Sequence, residues 1–188
     1  VFSMVVVGGL TRLTESGLSI VQWKLLSGIL PPLSHEAWVE EFAAYQTSPQ
    51  YAQVNHGMSL SEFQNIFWLE YIHRLLGRAV GVAFLLPLAF FWIRKQLPRP
   101  VARKMMALSV LVGVQGAVGW YMVKSGLVDM PWVSPYRLAF HLGLAVIIFC
   151  GLLHVAYTSQ PGLERGRKHP MFRLSLLTTS LVFLQILL

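Results

Sequence analysis

The sequence predicts an all-α integral membrane protein, a four-helix transmembrane bundle with a long outer loop that contains an amphipathic helix. Three observations predict it. Hydrophobic residues make up 55% of the 188 residues and charged residues only 12%, against about 25% charged in soluble domains. Several apolar runs approach the roughly 20 residues that a helix needs to cross about 30 Å of hydrocarbon. The charges cluster between those runs, which are too long and too unalternating to be strands of a membrane barrel.

Apolar segments occupy, in chain order, residues about 1–10, 65–93, 104–124, 135–157 and 172–188. The middle three are expected to be complete spans, and the first and last to be helices cut by the ends of the sequence. Residues 1–10 lack the initiating Met and basic stretch of a signal peptide. Roughly 50 residues holding most of the acidic side chains follow, and within them "PPLSHEAWVEEFAAYQ" reads as an amphipathic helix capped by Ser34 and placed on the membrane surface. The connection "IRKQLPRPVARK" carries Arg94, Lys95, Arg99, Arg103 and Lys104, and a second one carries Arg165, Arg167, Lys168 and Arg173. Both are expected to face the cytoplasm or matrix. Residues about 11–64, where Arg12 and Lys24 are outnumbered by Glu15, Glu36, Glu40, Glu41 and Glu62, then face the periplasm or intermembrane space. Trp120, Tyr121, Trp132 and Tyr136 flank the short loop after the third span as an interfacial aromatic belt would.

This pattern divides the chain into a transmembrane unit over residues 1–157, a basic inner loop over 158–171 and the start of a further helix over 172–188. The net charge of +7 is accounted for by those basic loops, so it is a topology signal and does not point to nucleic acid. A single cysteine, Cys150, excludes an intrachain disulfide.

Charged side chains inside a span cost several kcal/mol unless they serve a functional interior. The second span holds Glu70, His73, Arg74 and Arg78 in "WLEYIHRLLGRAVG". At about 100° per residue, Glu70 and His73 share one helix face. Gly77, one turn inward of His73, and Gly81 beyond it leave that face slim enough for a flat ring, although for these two glycines alone GxxxG helix packing is the favoured reading. The fourth span begins "SPYRLAFHLGLA", with Arg137 one turn outward of His141. Both spans run from the outer side inward, and both histidines fall in the outer third, so they can meet at one depth. Two neutral imidazoles make an axial pair for haem iron, with arginines at the outer edge for its propionates. Bare iron, copper or zinc would need further ligands that this depth does not offer. His154, about 220° round the helix from His141, argues against a second haem between these spans. Glu70 is not needed for electron transfer and implies chemistry at the ring edge, its other role being an ion pair with Arg74. Gly113, Gly116 and Gly119 keep one side of the third span slim, as close helix packing requires, and Gln115 and Lys124 are its polar groups.

The stretches "GGLTRLTESGLSIVQWKLLSGILPPL", "EYIHRLLGR", "QGAVGWYMVKSGL" and "SPYRLAFHLG" occur in order from Gly8 to about Gly143. They resemble the haem A synthases, in particular those of mitochondria and alphaproteobacteria. The resemblance implies half of an eight-helix protein built from an internal repeat, this chain being the N-terminal, haem-binding half, with a haem B in the other half. It implies oxidation of the C8 methyl group of haem O to a formyl group, giving haem A for cytochrome c oxidase. It carries the catalytic role onto Glu70 and the axial ligands, and so the metal, onto His73 and His141. With the residue reading, Arg74, Arg137 and Gly77 complete the haem-binding set. A bacterial plasma membrane or mitochondrial inner membrane and a ferredoxin-type electron donor are implied, with haem O synthase and a second copy of the chain as candidate partners. The cysteine pair of some bacterial members is missing, which puts a disulfide-linked redox step in doubt. A bis-His cytochrome that only passes electrons, and a haem-free transporter or assembly protein using Glu70 and Arg74 as a proton relay, remain alternatives.

Overall fold

The computed structural model describes residues 2–24, 27–128, 131–160 and 172–187. They form seven α-helices: α1 (Phe2–Leu13), α2 (His35–Gln46), α3 (Pro49–Gln53), α4 (Leu60–Ile93), α5 (Arg99–Gly126), α6 (Pro135–Thr158) and α7 (Phe172–Leu187), with short 3-10 turns at Ser16–Leu18 and Ser27–Ile29. Among the described residues no strand occurs. Helices α4, α5 and α6 are each long and apolar enough to cross a membrane, so the chain is an all-α integral membrane protein of the helical-bundle class. The basic residues Arg165, Arg167 and Lys168 lie outside the described residues.

Two helices are longer than their apolar runs. At about 1.5 Å per residue, the 34 residues of α4 reach roughly 50 Å, well beyond the hydrocarbon core. Helix α4 also continues through Pro87, a residue tolerated in membrane helices. Helix α5 begins at Arg99, where the Pro98 carbonyl accepts from the Ala102 amide. Pro100 sits in the first turn, where its missing N–H is not needed. Arg99, Arg103 and Lys104 therefore belong to α5, and the connection shrinks to residues 94–98.

The chain divides into two compact units. The first comprises Val1–Phe84 and Ala117–Ser134, the second Leu85–Gly116 and Pro135–Leu188. In the first, α2 starts where Ser34 accepts from the Ala37 amide at 3.2 Å, the predicted cap. Its apolar stripe, Trp38, Phe42 and Tyr45, recurs every three or four residues. That stripe packs on the N-terminal turns of α4. Trp38 meets Phe67 edge-on at 4.9 Å, Phe42 lies 5.1 Å from Phe63, and Tyr45 stacks on Phe63 at 5.2 Å. Such pairs contribute about 0.5–1.5 kcal/mol each beyond the area they bury. The reason is the overshoot of α4, whose outer turns supply an aromatic partner.

Tyr45 is fully buried. Its hydroxyl donates to Gln50 Oε1 at 3.1 Å and accepts from Asn55 at 2.7 Å, while the Gln50 amide donates to the Glu15 carbonyl at 2.7 Å. Glu15, at φ 53, takes the left-handed conformation that turns the chain after α1. Burial pushes the Tyr45 phenol above its ordinary value of about 10. A raised folded-state value means that the contribution of the neutral phenol is complete below about pH 10 and is lost as pH rises through the folded value. Tyr45→Phe is expected to cost about 1–3 kcal/mol by stranding its two partners, and to remove that alkaline loosening. Limited proteolysis of the outer segment against pH reads both, and unchanged cleavage in the variant would contradict them.

Candidate functional site

The middle of α4 carries Glu70, His73, Arg74, Gly77 and Arg78, all within the first compact unit. Among the described residues of the unit Glu70 is the buried carboxylate, with 2% of its surface exposed. Oε2 accepts from the Ser19 hydroxyl at 2.7 Å and the Ile20 amide at 2.8 Å, and Oε1 accepts from Arg74. The Arg74 nitrogen that reaches Glu70 also donates to the Ile20 carbonyl at 2.8 Å, and the guanidinium lies over Trp23, 5.1 Å from its ring centre. Below it, Arg78 donates to the Lys24 carbonyl at 3.0 Å, and the Tyr71 hydroxyl donates to the Ile29 carbonyl. One face of α4 thus binds the backbone of residues 19–29 through four side chains. The ion pair weighed as an alternative for Glu70 is present, as part of this clamp.

The sequence "LTESGLS" builds the other side of the clamp. Thr11 donates back to the Gly8 carbonyl at 2.7 Å and Thr14 to Leu10 at 2.8 Å, ending α1. Ser16, Leu18 and Ser19 are almost fully buried in the turn that follows. A cavity of about 300 Å³ opens beside Arg74 and Arg78, walled also by Gln22, Lys24, Glu40 and Glu41. Its lining carries charge of both signs, with Lys24 paired to Glu41.

His73 lies one turn inward of Glu70 and half-buried. Helix α1 approaches its ring at Gly8, where a Cβ would stand 3.2 Å from His73 Nε2. Gly8→Ala therefore forces the imidazole to give by a few tenths of an ångström. Alanine's better helix propensity, about 0.5–1 kcal/mol, offsets that strain. The variant is expected to fold like the parent while its His73 ring resonances shift; unshifted resonances would contradict the contact. A Cβ on Gly77 would meet only the Met4 methyl, at 3.7 Å, and one on Gly81, Gly113 or Gly116 would meet nothing within 4 Å. The expected close helix packing at Gly113 and Gly116 is therefore not seen, nor at Gly81. Close approach occurs instead at Gly151, where a Cβ would stand 2.6 Å from Leu108, and at Gly126 against Leu18.

Arg137 and His141 lie on the first two turns of α6, in the second unit, both half-buried. In the same unit Gln115 of α5 sits beside His141, its amide nitrogen 3.0 Å from the His141 carbonyl and 3.3 Å from the ring Nε2. Sequence reasoning left Gln115 as a polar group on a packing helix, although an amide inside a span needs a bonding partner and so marks a contact. Of the other histidines, His154 is 3.5 Å from Lys104, His56 packs on Tyr51 and His35 opens α2, while His169 lies outside the described residues. Lys124 lies over Trp120. Trp120, Tyr121, Trp132 and Tyr136 are all exposed, as a lipid-facing belt would be.

Among the described residues no three or more His, Cys, Asp or Glu side chains converge to hold a bare metal ion. Imidazole donors within the spans include His73, with Arg74 next to it in the chain and Gly77 one turn on, and His141, with Arg137 one turn before it. That chemistry fits a planar iron porphyrin that brings four ligands of its own.

The sequence profile of the family COX15-CtaA, described as cytochrome oxidase assembly protein, matches residues 1–188. The chain is 60% identical over 150 residues to "Heme A synthase" of Bradyrhizobium diazoefficiens, covering 80% of this chain and 42% of that protein. It is 56% identical over 156 residues to the protein of that name from Nitrosospira multiformis, covering 83% and 44%. Against the Parvibaculum lavamentivorans protein of the same name it is 49% identical over 188 residues, covering 100% and 55%. The chain spans about half the length of these curated relatives. No solved structure matches it.

Proposed function

Because the chain belongs to the cytochrome oxidase assembly protein family COX15-CtaA, we propose that it is the substrate-binding part of a haem A synthase, an oxidoreductase that turns the C8 methyl group of haem O into a formyl group. His73 and His141 hold the iron of the substrate haem. Arg137, and the N–H groups of Arg74 that Glu70 and Ile20 do not use, take its propionates. Gly77 keeps the face inward of His73 open to a flat ring. A ferredoxin-type donor supplies electrons, and a haem B belongs to the remaining length of the relatives. Residues about 11–64 face the periplasm or intermembrane space, an orientation supported by the basic residues at 94–104.

The observation that carries this reading is Glu70. A carboxylate buried one turn from His73 is held in place by two donors of the outer segment and by Arg74. A carboxylate fixed there can stabilise a cation developing on the substrate side chain or guide removal of its proton. Turnover tests it. Membranes containing the chain, supplied with haem O and a ferredoxin-type reductant, are expected to yield haem bearing a formyl group by chromatography, and Glu70→Gln membranes to stall at haem O or its alcohol. Full formyl production by Glu70→Gln would remove Glu70 from the chemistry.

A further inference from the structure

We propose that the hollow between the start of α5 and the end of α6 binds the phosphate of an anionic phospholipid, with Lys104 as its cation. The proposal is independent of the haem reading. The hollow, about 350 Å³, is lined by Pro100, Val101, Lys104, His154, Thr158 and Ser159, all in the second compact unit. Helical spacing brings these residues together. Lys104 and Leu108 are one turn apart on α5, and Gly151, His154, Val155 and Thr158 recur every three or four residues on α6. Leu108 lies against Gly151, where the two helices share an apolar contact. One turn toward their ends, the Lys104 ammonium lies 3.5 Å from His154 Nε2 and 3.5 Å from Thr158 Oγ1.

Neither partner is a carboxylate, and both contacts are long for hydrogen bonds. They set the ammonium at the hollow without offsetting its charge, and its third hydrogen remains to be given. Among the described residues of the unit no carboxylate occurs, against Arg94, Lys95, Arg99, Arg103 and Lys104 at this end. Glu164 lies outside the described residues, in a stretch where Arg165, Arg167 and Lys168 outnumber it. Lys104 sits on the second turn of α5 and Thr158 closes α6, the levels at which two spanning helices leave the hydrocarbon for the headgroups. Charge at that depth is costly unless it is met, and basic pockets between spanning helices are where anionic headgroups bind. Leu153 and Tyr157, exposed and adjacent in sequence to His154 and Thr158, offer apolar surface to the acyl chains. A lysine that merely snorkels reaches into water, whereas Lys104 turns to the last turns of α6.

The test is native mass spectrometry of the whole chain in detergent, titrated with phosphatidylglycerol or with phosphatidylcholine, which carries the same phosphate but no net charge. Phosphatidylglycerol is expected to stay bound at concentrations where phosphatidylcholine does not. Lys104→Gln is expected to weaken that retention about fivefold, the worth of one lysine beside an anionic headgroup. Lys95→Gln, an equal loss of charge outside the hollow, is expected to change it by about twofold at most. Ser159→Glu, which brings a carboxylate to the ammonium from the other helix, should weaken retention at least as much as Lys104→Gln and serves if that variant does not fold. Equal retention of the two lipids overturns the site. Equal losses in Lys104→Gln and Lys95→Gln also overturn it, leaving a diffuse basic surface in its place. Displacement of the lipid by inorganic phosphate at the lipid's own concentration would make the ligand a soluble phosphate and overturn the lipid assignment.

Discussion

Glu70→Ala is expected to destabilise the outer segment by about 3–5 kcal/mol, the usual penalty for removing one partner of a buried ion pair. The substitution strands the Arg74 guanidinium, the Ser19 hydroxyl and the Ile20 amide together. The loss should be local. Ile20, Lys24 and Ile29 are tied to α4 through Glu70, Arg74, Arg78 and Tyr71, whereas α2 is held by its own aromatic contacts to Phe63 and Phe67. Hydrogen exchange is therefore expected to rise sharply at residues 19–29 and little at α2. Ser19→Ala removes one of the three donors and should produce the same pattern at about 1 kcal/mol. If exchange rose uniformly, or if Glu70→Ala left residues 19–29 as protected as in the parent, the clamp would not exist as described.

On the proposed bis-imidazole reading, His73→Ala and His141→Ala are each expected to abolish a six-coordinate, low-spin haem spectrum, because neither helix offers another imidazole near its histidine. One turn inward of His73 stands Gly77, and His154 is associated with Lys104 and Thr158 at the far end of α6. Loss in one variant only would identify a five-coordinate site with one protein ligand. Retention in both would remove the axial pair altogether. Both histidines are only partly buried, so the helical circular dichroism of each variant should remain that of the parent, which separates ligand loss from unfolding.

Much of the fold was legible because the bilayer imposes strict rules. Helices α4, α5 and α6 follow from apolar runs of spanning length, and the Ser34 cap follows from a side chain suited to an orphan amide. The candidate residues were legible for the same reason, since charge inside an apolar run is costly and therefore conspicuous. What was not legible depends on contacts distant in sequence. Ser19 and Ile20 meet Glu70 across about 50 residues, and no periodicity signals such a pairing. The covered face of α2 was readable in principle, because 34 helical residues are too many for the hydrocarbon core and must project beyond it. The glycines misled because a small residue permits close packing without requiring it: Gly113 and Gly116 face open space while Gly151, which attracted no notice, sits against Leu108. Gln115 was visible as an amide in an apolar span, but its partner was not.

The identity of the haem carried by the purified protein tests the central claim most directly. Extraction and chromatography are expected to give haem O, its alcohol or haem A from the parent, with the Glu70→Gln variant enriched in haem O and His73→Ala empty. Protohaem alone, in an amount and state indifferent to Glu70→Gln, would contradict the account. The chain would then be a bis-His electron-transfer cytochrome in which Glu70 serves only to hold Arg74 and the outer segment.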